Sequence, residues 1–352
     1  MIKLPGLIDI HVHLREPGEV YKEDFSSGTS AALKGGFTTV LAMPNTSPPI
    51  LDGESFQIAA DLAGRKAVCD FGIYLGGGEE NAELAAELAP RAAGLKLYLD
   101  ATYGPLLLKD ISSWKAHFEH WPRSRPIAAH SEGKTLAAFL MFSYLYGRPV
   151  HVCHVARKEE ILLIKEAKSR GLPVTCEVAP HHLFLTEVDE QQLPKGRGKV
   201  CPALGTTDDR QALWDNLDQI DCIASDHAPH TLEEKDSEHP PPGFPGLETT
   251  LPLLLEAVQE GRLTREDLIN KMYTNPSKIF SIPEQSETWV EVDETHSYTI
   301  SGSGLFTKAK WTPFEGIRGR GMVRKVVLRG ETVYQDGKIQ VQPGFGKNIR
   351  SD

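Results

Sequence analysis

The sequence predicts an α/β protein: a closed (β/α)8 TIM barrel over residues 5–284, with a small β domain made from the two chain ends, residues 1–4 and 285–352. Three observations predict it. Eight short, near-continuous apolar runs recur as far as Ser225, and strands of that kind belong to parallel sheets covered on both faces. Helix-like patterns fall between them, and eight such units over roughly 230 residues suit a closed barrel, with an open doubly wound sheet as the alternative. Beyond Pro283 the texture changes to alternating segments that read as antiparallel strands.

The first strand starts at Leu7 and runs into His11-Val12-His13-Leu14. Arg15-Glu16-Pro17-Gly18 signals a loop, and a helix follows from about Lys22 to Lys34, stopped by Gly35-Gly36. Further strands are read at Phe37 to Pro44, Cys69 to Leu75, Gly94 to Leu99, Ile127 to His130, Val150 to Val155, Val174 to Val178 and Cys222 to Ser225. Between the sixth and seventh, Lys158 to Arg170 reads as a helix with Leu163, Ile164 and Ala167 as its apolar stripe. The proline-rich stretch His239 to Gly246 reads as a stiff loop. Near the C-terminus, Thr332-Val333-Tyr334 and Lys338 to Val341 flank Asp336-Gly337, a hairpin turn. Ile2 to Leu4 is expected to join this sheet from the other end of the chain.

Composition narrows the function classes. A net charge of -10 without a basic cluster argues against nucleic acid, and leaves an anionic substrate to be held by a few local cations. No apolar run reaches the roughly 18 residues of a membrane span, so no membrane partner is expected. Met1 to Pro5 leads straight into a strand, with no room for a signal peptide. The cysteines, Cys69, Cys153, Cys176, Cys201 and Cys222, are odd in number and mostly strand-associated, which fits reduced thiols in a cytoplasmic protein.

The candidate chemistry lies at strand ends. Side chains alternate along a strand, so His11 and His13 share a face and can grip one metal ion; an isolated His-x-His is more commonly a pair of core histidines. Position changes that balance. Lys96 lies in the fourth strand, His130 ends the fifth, His154 the sixth and Asp226 the eighth. In a barrel the C-terminal strand ends form one rim, so these residues converge with His11 and His13. Such groups are costly in apolar surroundings unless paired or metal-bound.

Lys96 is the odd member. Flanked by Leu95 and Leu97, its amine is favoured in the neutral form, which can add carbon dioxide and become a carbamate bridging two metals. A plain Lys96–Asp226 ion pair is the simpler alternative. Two metals would lower the pKa of a shared water and polarise a carbonyl, while Asp226 could carry a proton to a leaving nitrogen. Cys153, Glu177 and the far edge of His11 could hold a further zinc. On a flat strand, however, Cys153 faces away from His154, and a buried thiol near a supporting carboxylate is the simpler reading. His181 and His182, after Pro180, either support a ligand or are structural.

The motifs His11-Val12-His13-Leu14-Arg15-Glu16-Pro17-Gly18, Met43-Pro44-Asn45-Thr46, Lys96-Leu97-Tyr98, Cys153-His154-Val155-Ala156, Ser225-Asp226-His227-Ala228-Pro229-His230 and Pro242-Gly243-Phe244-Pro245-Gly246 together resemble dihydroorotases of the amidohydrolase superfamily. They most resemble the dihydroorotase domain of the animal multifunctional pyrimidine-synthesis protein, which also carries carbamoyl-phosphate synthetase and aspartate transcarbamoylase. The resemblance spans essentially the whole chain.

It implies zinc-dependent, reversible cyclisation of N-carbamoyl-L-aspartate to L-dihydroorotate. It also implies a carboxylated Lys96, one zinc on His11, His13, Lys96 and Asp226, and another on Lys96, His130 and His154. In animal-type enzymes a third zinc is held by residues matching His11, Cys153 and Glu177. Substrate contacts carry over to Arg15, Asn45, His230 and the backbone at Pro242 and Gly243. Residues 100–104 resemble a mobile loop whose Thr102 and Tyr103 close over the substrate. Arg15, two residues past His13, keeps the same face and offers a bidentate fork for a carboxylate, and Asn45 can both donate and accept. A homodimer and neighbouring synthetase and transcarbamoylase domains are the expected partners.

One position departs from the pattern. Animal-type relatives carry an arginine where this chain has Cys201, before Pro202. Weaker substrate binding is therefore expected, or a compensating cation from Arg197 or Lys199. Two other readings compete: a different cyclic amidohydrolase of the hydantoinase or allantoinase kind, and an inactive barrel kept as an assembly module.

Overall fold

The computed structural model describes residues 1–350. In chain order its strands are β1 (Ile2–Pro5), β2 (Leu7–Val12), β3 (Phe37–Ala42), β4 (Asp70–Ile73), β5 (Leu75–Gly76), β6 (Leu95–Tyr98), β7 (Ile127–His130), β8 (Val150–Val152), β9 (Val174–Val178), β10 (Cys222–Ile223), β11 (Trp289–Thr299), β12 (Arg318–Leu328), β13 (Glu331–Gln335) and β14 (Lys338–Ile339). β2, β3 and β4 pair in parallel, and so do β5 to β10 in the order β10-β9-β8-β7-β6-β5.

These two runs form one closed barrel. β4 and β5 are halves of a single strand broken at Tyr74, whose N–H donates to Ala42 O at 2.9 Å while Leu75 N–H donates to Gly94 O at 3.0 Å. The ring closes where Val12 pairs in parallel with His227 and His13 N–H donates to His227 O at 2.7 Å. Asp9 clamps the same seam, accepting from Ser225 N at 3.1 and 3.2 Å, and burial there pushes its carboxyl up to about 7. Counting β4 with β5, the strands number eight and coincide with the apolar runs. β2 and β3 are buried along their whole length, as strands covered on both faces must be.

Local chemistry shifts two helices from their sequence reading. The first begins at Phe25 rather than near Lys22, because Asp24 caps it: its carboxylate accepts from Ser27 N at 2.7 Å and Ser27 Oγ accepts from Asp24 N at 3.1 Å. In the helix Lys158–Ser169, Ile164 and Ala167 face the barrel as expected, but Ile161 completes the stripe and Leu163 points outward.

The chain ends build an antiparallel sheet ordered β1-β11-β12-β13-β14. Ile2 and Leu4 pair with Val292 and Val290 as anticipated. Asp336 and Gly337, at φ 44° and 83°, make the two-residue turn between β13 and β14. The loop between β11 and β12 returns to the barrel mouth, where Trp311 Nε1 donates to His230 O at 2.8 Å. Among the described residues, no helix is long and apolar enough to cross a membrane.

Candidate metal centre

The six strand-end residues converge. Nε2 of His11 and Nε2 of His13 each lie 3.3 Å from the same oxygen, Oδ1 of Asp226. Nδ1 of His130 faces Nε2 of His154 at 2.9 Å. Lys96, fully buried, lies between these groups and donates to Cys153 Sγ at 3.0 Å. A Lys96–Asp226 hydrogen bond does not form. All six line one cavity.

Backbone geometry at three positions aims these side chains. Arg15, His154 and Asp226 have φ of 59°, 33° and 46°, a region uncommon for non-glycine residues that clusters at functional sites. β8 ends at Val152, and the turn at His154 brings both Cys153 and His154 to the centre. The flat-strand rule, which sends Cys153 outward, fails there for that reason.

Cys153 thereby joins a second cluster. Glu177 is hydrogen-bonded to His11 Nδ1 and lies 3.2 Å from His151 Nε2, and Cys153 completes a group of three potential ligands with His11 and Glu177. Burial alone would raise the Glu177 carboxyl; the His11 and His151 imidazoles outweigh it and hold it well below the usual range. Burial pushes the Cys153 thiol up to about 12 and lowers His13 to about 4, so these groups are neutral without an ion. Neutral imidazole is the form that binds metals.

The donor sets fit zinc. They are nitrogen, oxygen and sulfur atoms, and the 3.3 Å from Asp226 Oδ1 to each of His11 and His13 matches the roughly 3.3–3.6 Å of tetrahedral coordination. Lys96 has one weak sulfur partner for three hydrogens, a poor setting for a buried ammonium.

Arg15, Asn45, Thr102, Tyr103, Cys201, Pro242 and Gly243 form the outer wall of the cavity. Arg15 Nε donates to Pro229 O at 3.2 Å, and its Nη2 lies 3.0 Å from His230 Nε2, itself 3.0 Å from Pro242 O. Asn45 Oδ1 sits 2.7 Å from His13 Nδ1 and orients that ring, while its amide donates to Tyr103 O at 3.0 Å. The loop over the cavity is latched: the Tyr103 hydroxyl bonds Glu19 and accepts from Lys22 Nζ at 2.6 Å, and the Arg15 guanidinium lies 5.1 Å above its ring.

Neither candidate for a compensating cation reaches the cavity. Arg197 is tied by two hydrogen bonds to Asp236, at 2.7 and 2.6 Å, and neither it nor Lys199 lines the wall. Cys201 Sγ instead stands 3.6 Å from Ala101 O. His181 and His182 are buried outside the cavity lining, and neither His182 nitrogen has a hydrogen-bond partner.

Three further residues belong to the site. Tyr98 lines the cavity with a buried, unpartnered hydroxyl; two positions after Lys96, it shares that residue's face, a period-two signal available in the sequence. Glu132 Oε1 lies 3.1 Å from His130 Nε2. Lys235, fully buried, donates to the carbonyls of Lys199, Pro241 and Gly243 at 2.7, 3.0 and 3.2 Å, and so fixes the proline-rich wall. Nothing in its local sequence signals that role.

Comparison with known proteins agrees with this arrangement. Residues 2–288 match the model of the amidohydrolase family. The chain is 56% identical over 351 residues to the multifunctional protein CAD of Squalus acanthias, covering 100% of this chain and 16% of that protein. It is 38% identical over 361 residues to the dihydroorotase of Pyrococcus furiosus, covering 97% of this chain and 83% of that one. Among solved structures, the L-hydantoinase of Arthrobacter aurescens superposes with a TM-score of 0.92 at 25% identity, over 99% of this chain and 88% of that one. The inactive dihydroorotase-like domain of the Chaetomium thermophilum CAD-like multifunctional protein gives 0.84 at 29% identity, over 99% and 98%. The chain thus spans about a sixth of its multifunctional relative and most of its single-function one. With that sequence identity and these potential metal ligands at the barrel mouth, the chain belongs to the amidohydrolase family, among its dihydroorotases.

Proposed function

We propose that this chain is a cyclic amide hydrolase, catalysing the reversible closure of N-carbamoyl-L-aspartate to L-dihydroorotate in de novo pyrimidine synthesis. One observation carries the reading: a single buried cavity sets six metal-ligand residues beside one guanidinium, that of Arg15. His11, His13, Lys96 and Asp226 would hold one zinc, Lys96 as its carbamate with His130 and His154 another, and His11, Cys153 and Glu177 a third. Zinc bound there supplies a Lewis acid for the reacting carbonyl and lowers the pKa of water.

The protein's own groups do the rest. Burial disfavours the Asp226 anion, but His11 and His13 outweigh that cost and hold its carboxyl well below the usual range. Ionised, it takes the proton of the attacking water in ring opening and returns it to the departing ring nitrogen. Arg15, with Asn45 and His230, grips the substrate carboxylate. Thr102 and Tyr103 exclude water when the loop closes, and the backbone at Pro242 and Gly243 lines the far side. Ring closure condenses an amide nitrogen with a carboxylate, consumes one proton and releases water, so lower pH favours it.

The same reading divides the chain into a barrel over 5–284 and a β domain from 1–4 and 285–352. It places the protein in the cytoplasm as a homodimer. The multifunctional relative supports neighbouring carbamoyl-phosphate synthetase and aspartate transcarbamoylase domains.

A second reading, an inactive assembly module, is favoured by the likeness to an inactive domain. Assay of the zinc-loaded protein with carbamoyl aspartate beside hydantoin, with Asp226→Ala as control, separates them. Turnover of carbamoyl aspartate, lost in Asp226→Ala, supports the proposal. Preference for hydantoin, or no turnover of either, refutes it.

A further inference from the structure

The imidazole of His130 has a second edge. Its Nδ1 faces His154, whereas its Nε2 points outward to Glu132 Oε1 at 3.1 Å and Cys201 Sγ at 4.0 Å; the latter two atoms are 3.8 Å apart. His11 stands in the same relation to its neighbours, with Nε2 toward Asp226 and Nδ1 toward Glu177. Each histidine thus separates an inner cluster from an outer nitrogen–oxygen–sulfur triad of identical composition.

We propose that His130 Nε2, Glu132 and Cys201 form a further binding site for a soft divalent metal ion, zinc or cadmium, at the mouth of the cavity. Zinc bonds of about 2.0–2.3 Å at tetrahedral angles put such donors roughly 3.3–3.6 Å apart. The observed 3.1, 3.8 and 4.0 Å lie outside that range by less than about half an ångström, within reach of small rotations of the Glu132 and Cys201 side chains. One imidazole, one carboxylate and one thiol is a borderline-soft set that excludes magnesium and calcium.

Both outer ligands are reachable, Glu132 and Cys201 being only partly buried, unlike the sealed Cys153 and Glu177. Three protein ligands leave a fourth position for water. Binding displaces the protons of the thiol and of His130 Nε2 to solvent, replacing an S–H and an N–H bond by two metal bonds. Because His130 and Cys201 line the cavity beside Thr102 and Tyr103, an ion held there narrows the substrate's entrance. Excess zinc or cadmium therefore inhibits, a consequence that rests on the proposed activity; the site itself does not.

Cadmium titration of the zinc-loaded protein by equilibrium dialysis, with the ultraviolet thiolate-to-cadmium absorption followed in parallel, tests the site. The unsubstituted chain takes up one more equivalent than Cys201→Ser or Glu132→Gln. Each substitution weakens that uptake by more than the roughly 10- to 100-fold that loss of an outer partner costs. Comparison with Cys201→Ser cancels any signal from Cys153. Equal uptake in all three chains overturns the proposal, and so does loss in Cys201→Ser with retention in Glu132→Gln, which would mean a thiol acting alone. On the unsubstituted chain, anomalous diffraction from a cadmium-soaked crystal gives an independent answer: a peak within bonding distance of all three residues supports the site, and no peak there refutes it. Uptake without inhibition would count against the proposed activity or the blocking geometry and leave the site standing.

Discussion

Lys96 Nζ donates to Cys153 Sγ at 3.0 Å, joining β6 to the residue that follows β8 at the barrel mouth, with both side chains sealed from solvent. This contact makes Cys153 a neighbour of both groups of potential metal ligands. Cys153→Ser should lower bound zinc by one equivalent, because a hydroxyl is a poor zinc ligand beside a thiolate. The two ions at His11, His13, Lys96, His130, His154 and Asp226 should remain. Metal analysis checks this, and a zinc count equal to that of the unsubstituted protein contradicts it.

Tyr103→Phe removes the hydroxyl that ties the loop to Glu19 and Lys22 but leaves those two paired at 2.6 Å. One such bond is worth about 1 kcal/mol, or roughly 5-fold. We expect kcat/KM for carbamoyl aspartate to fall by that factor without change in bound metal. Unaltered steady-state kinetics would mean that the latch does not contribute to catalysis.

Metal-free protein should be acid-labile. Burial lowers His13 and His181 from 6.5 to about 4, and His230 to about 3. The unfolded chain binds more protons than the folded one across that window, so stability falls as pH falls from about 6.5 to about 4, by about 3 kcal/mol per group. Asp9, raised by burial from 3.8 to about 7, acts in the opposite sense and is outnumbered. Thermal melts of chelated protein between pH 6.5 and 4 test the sum. His181→Leu, outside the cavity lining, should flatten the slope; an unchanged slope would exclude His181 as a source.

Cys201→Arg should restore a cation to the cavity wall. A charge-assisted hydrogen bond to a carboxylate contributes about 1.5–3 kcal/mol, so KM should fall roughly 10- to 100-fold. Glu132, 3.8 Å from the present sulfur, is placed to orient the new side chain. Unchanged affinity would show that Cys201 does not limit substrate binding.

The barrel and the convergence of six polar residues are legible in the sequence for one reason: each of those residues interrupts or ends an apolar run, and strand ends share a rim. What depends on contacts between distant segments was hidden. The positive φ of His154 reverses the face assigned to Cys153. Lys22, read as the start of a helix, is a buried cation holding the Tyr103 hydroxyl. Trp311 lies in a stretch without periodic pattern, yet it braces His230 through a backbone bond. Arg197 has the charge of the missing arginine, but its pairing with Asp236, a contact between distant segments, holds it away from the cavity.

The most direct measurement is a crystal structure of the zinc-loaded protein with anomalous maps, from a preparation whose turnover has been assayed. Two zinc peaks about 3.5–4 Å apart, with density extending beyond Lys96 Nζ between them, are the expected result. An unmodified Lys96, or a cavity without paired ions in protein that turns over carbamoyl aspartate, would contradict it.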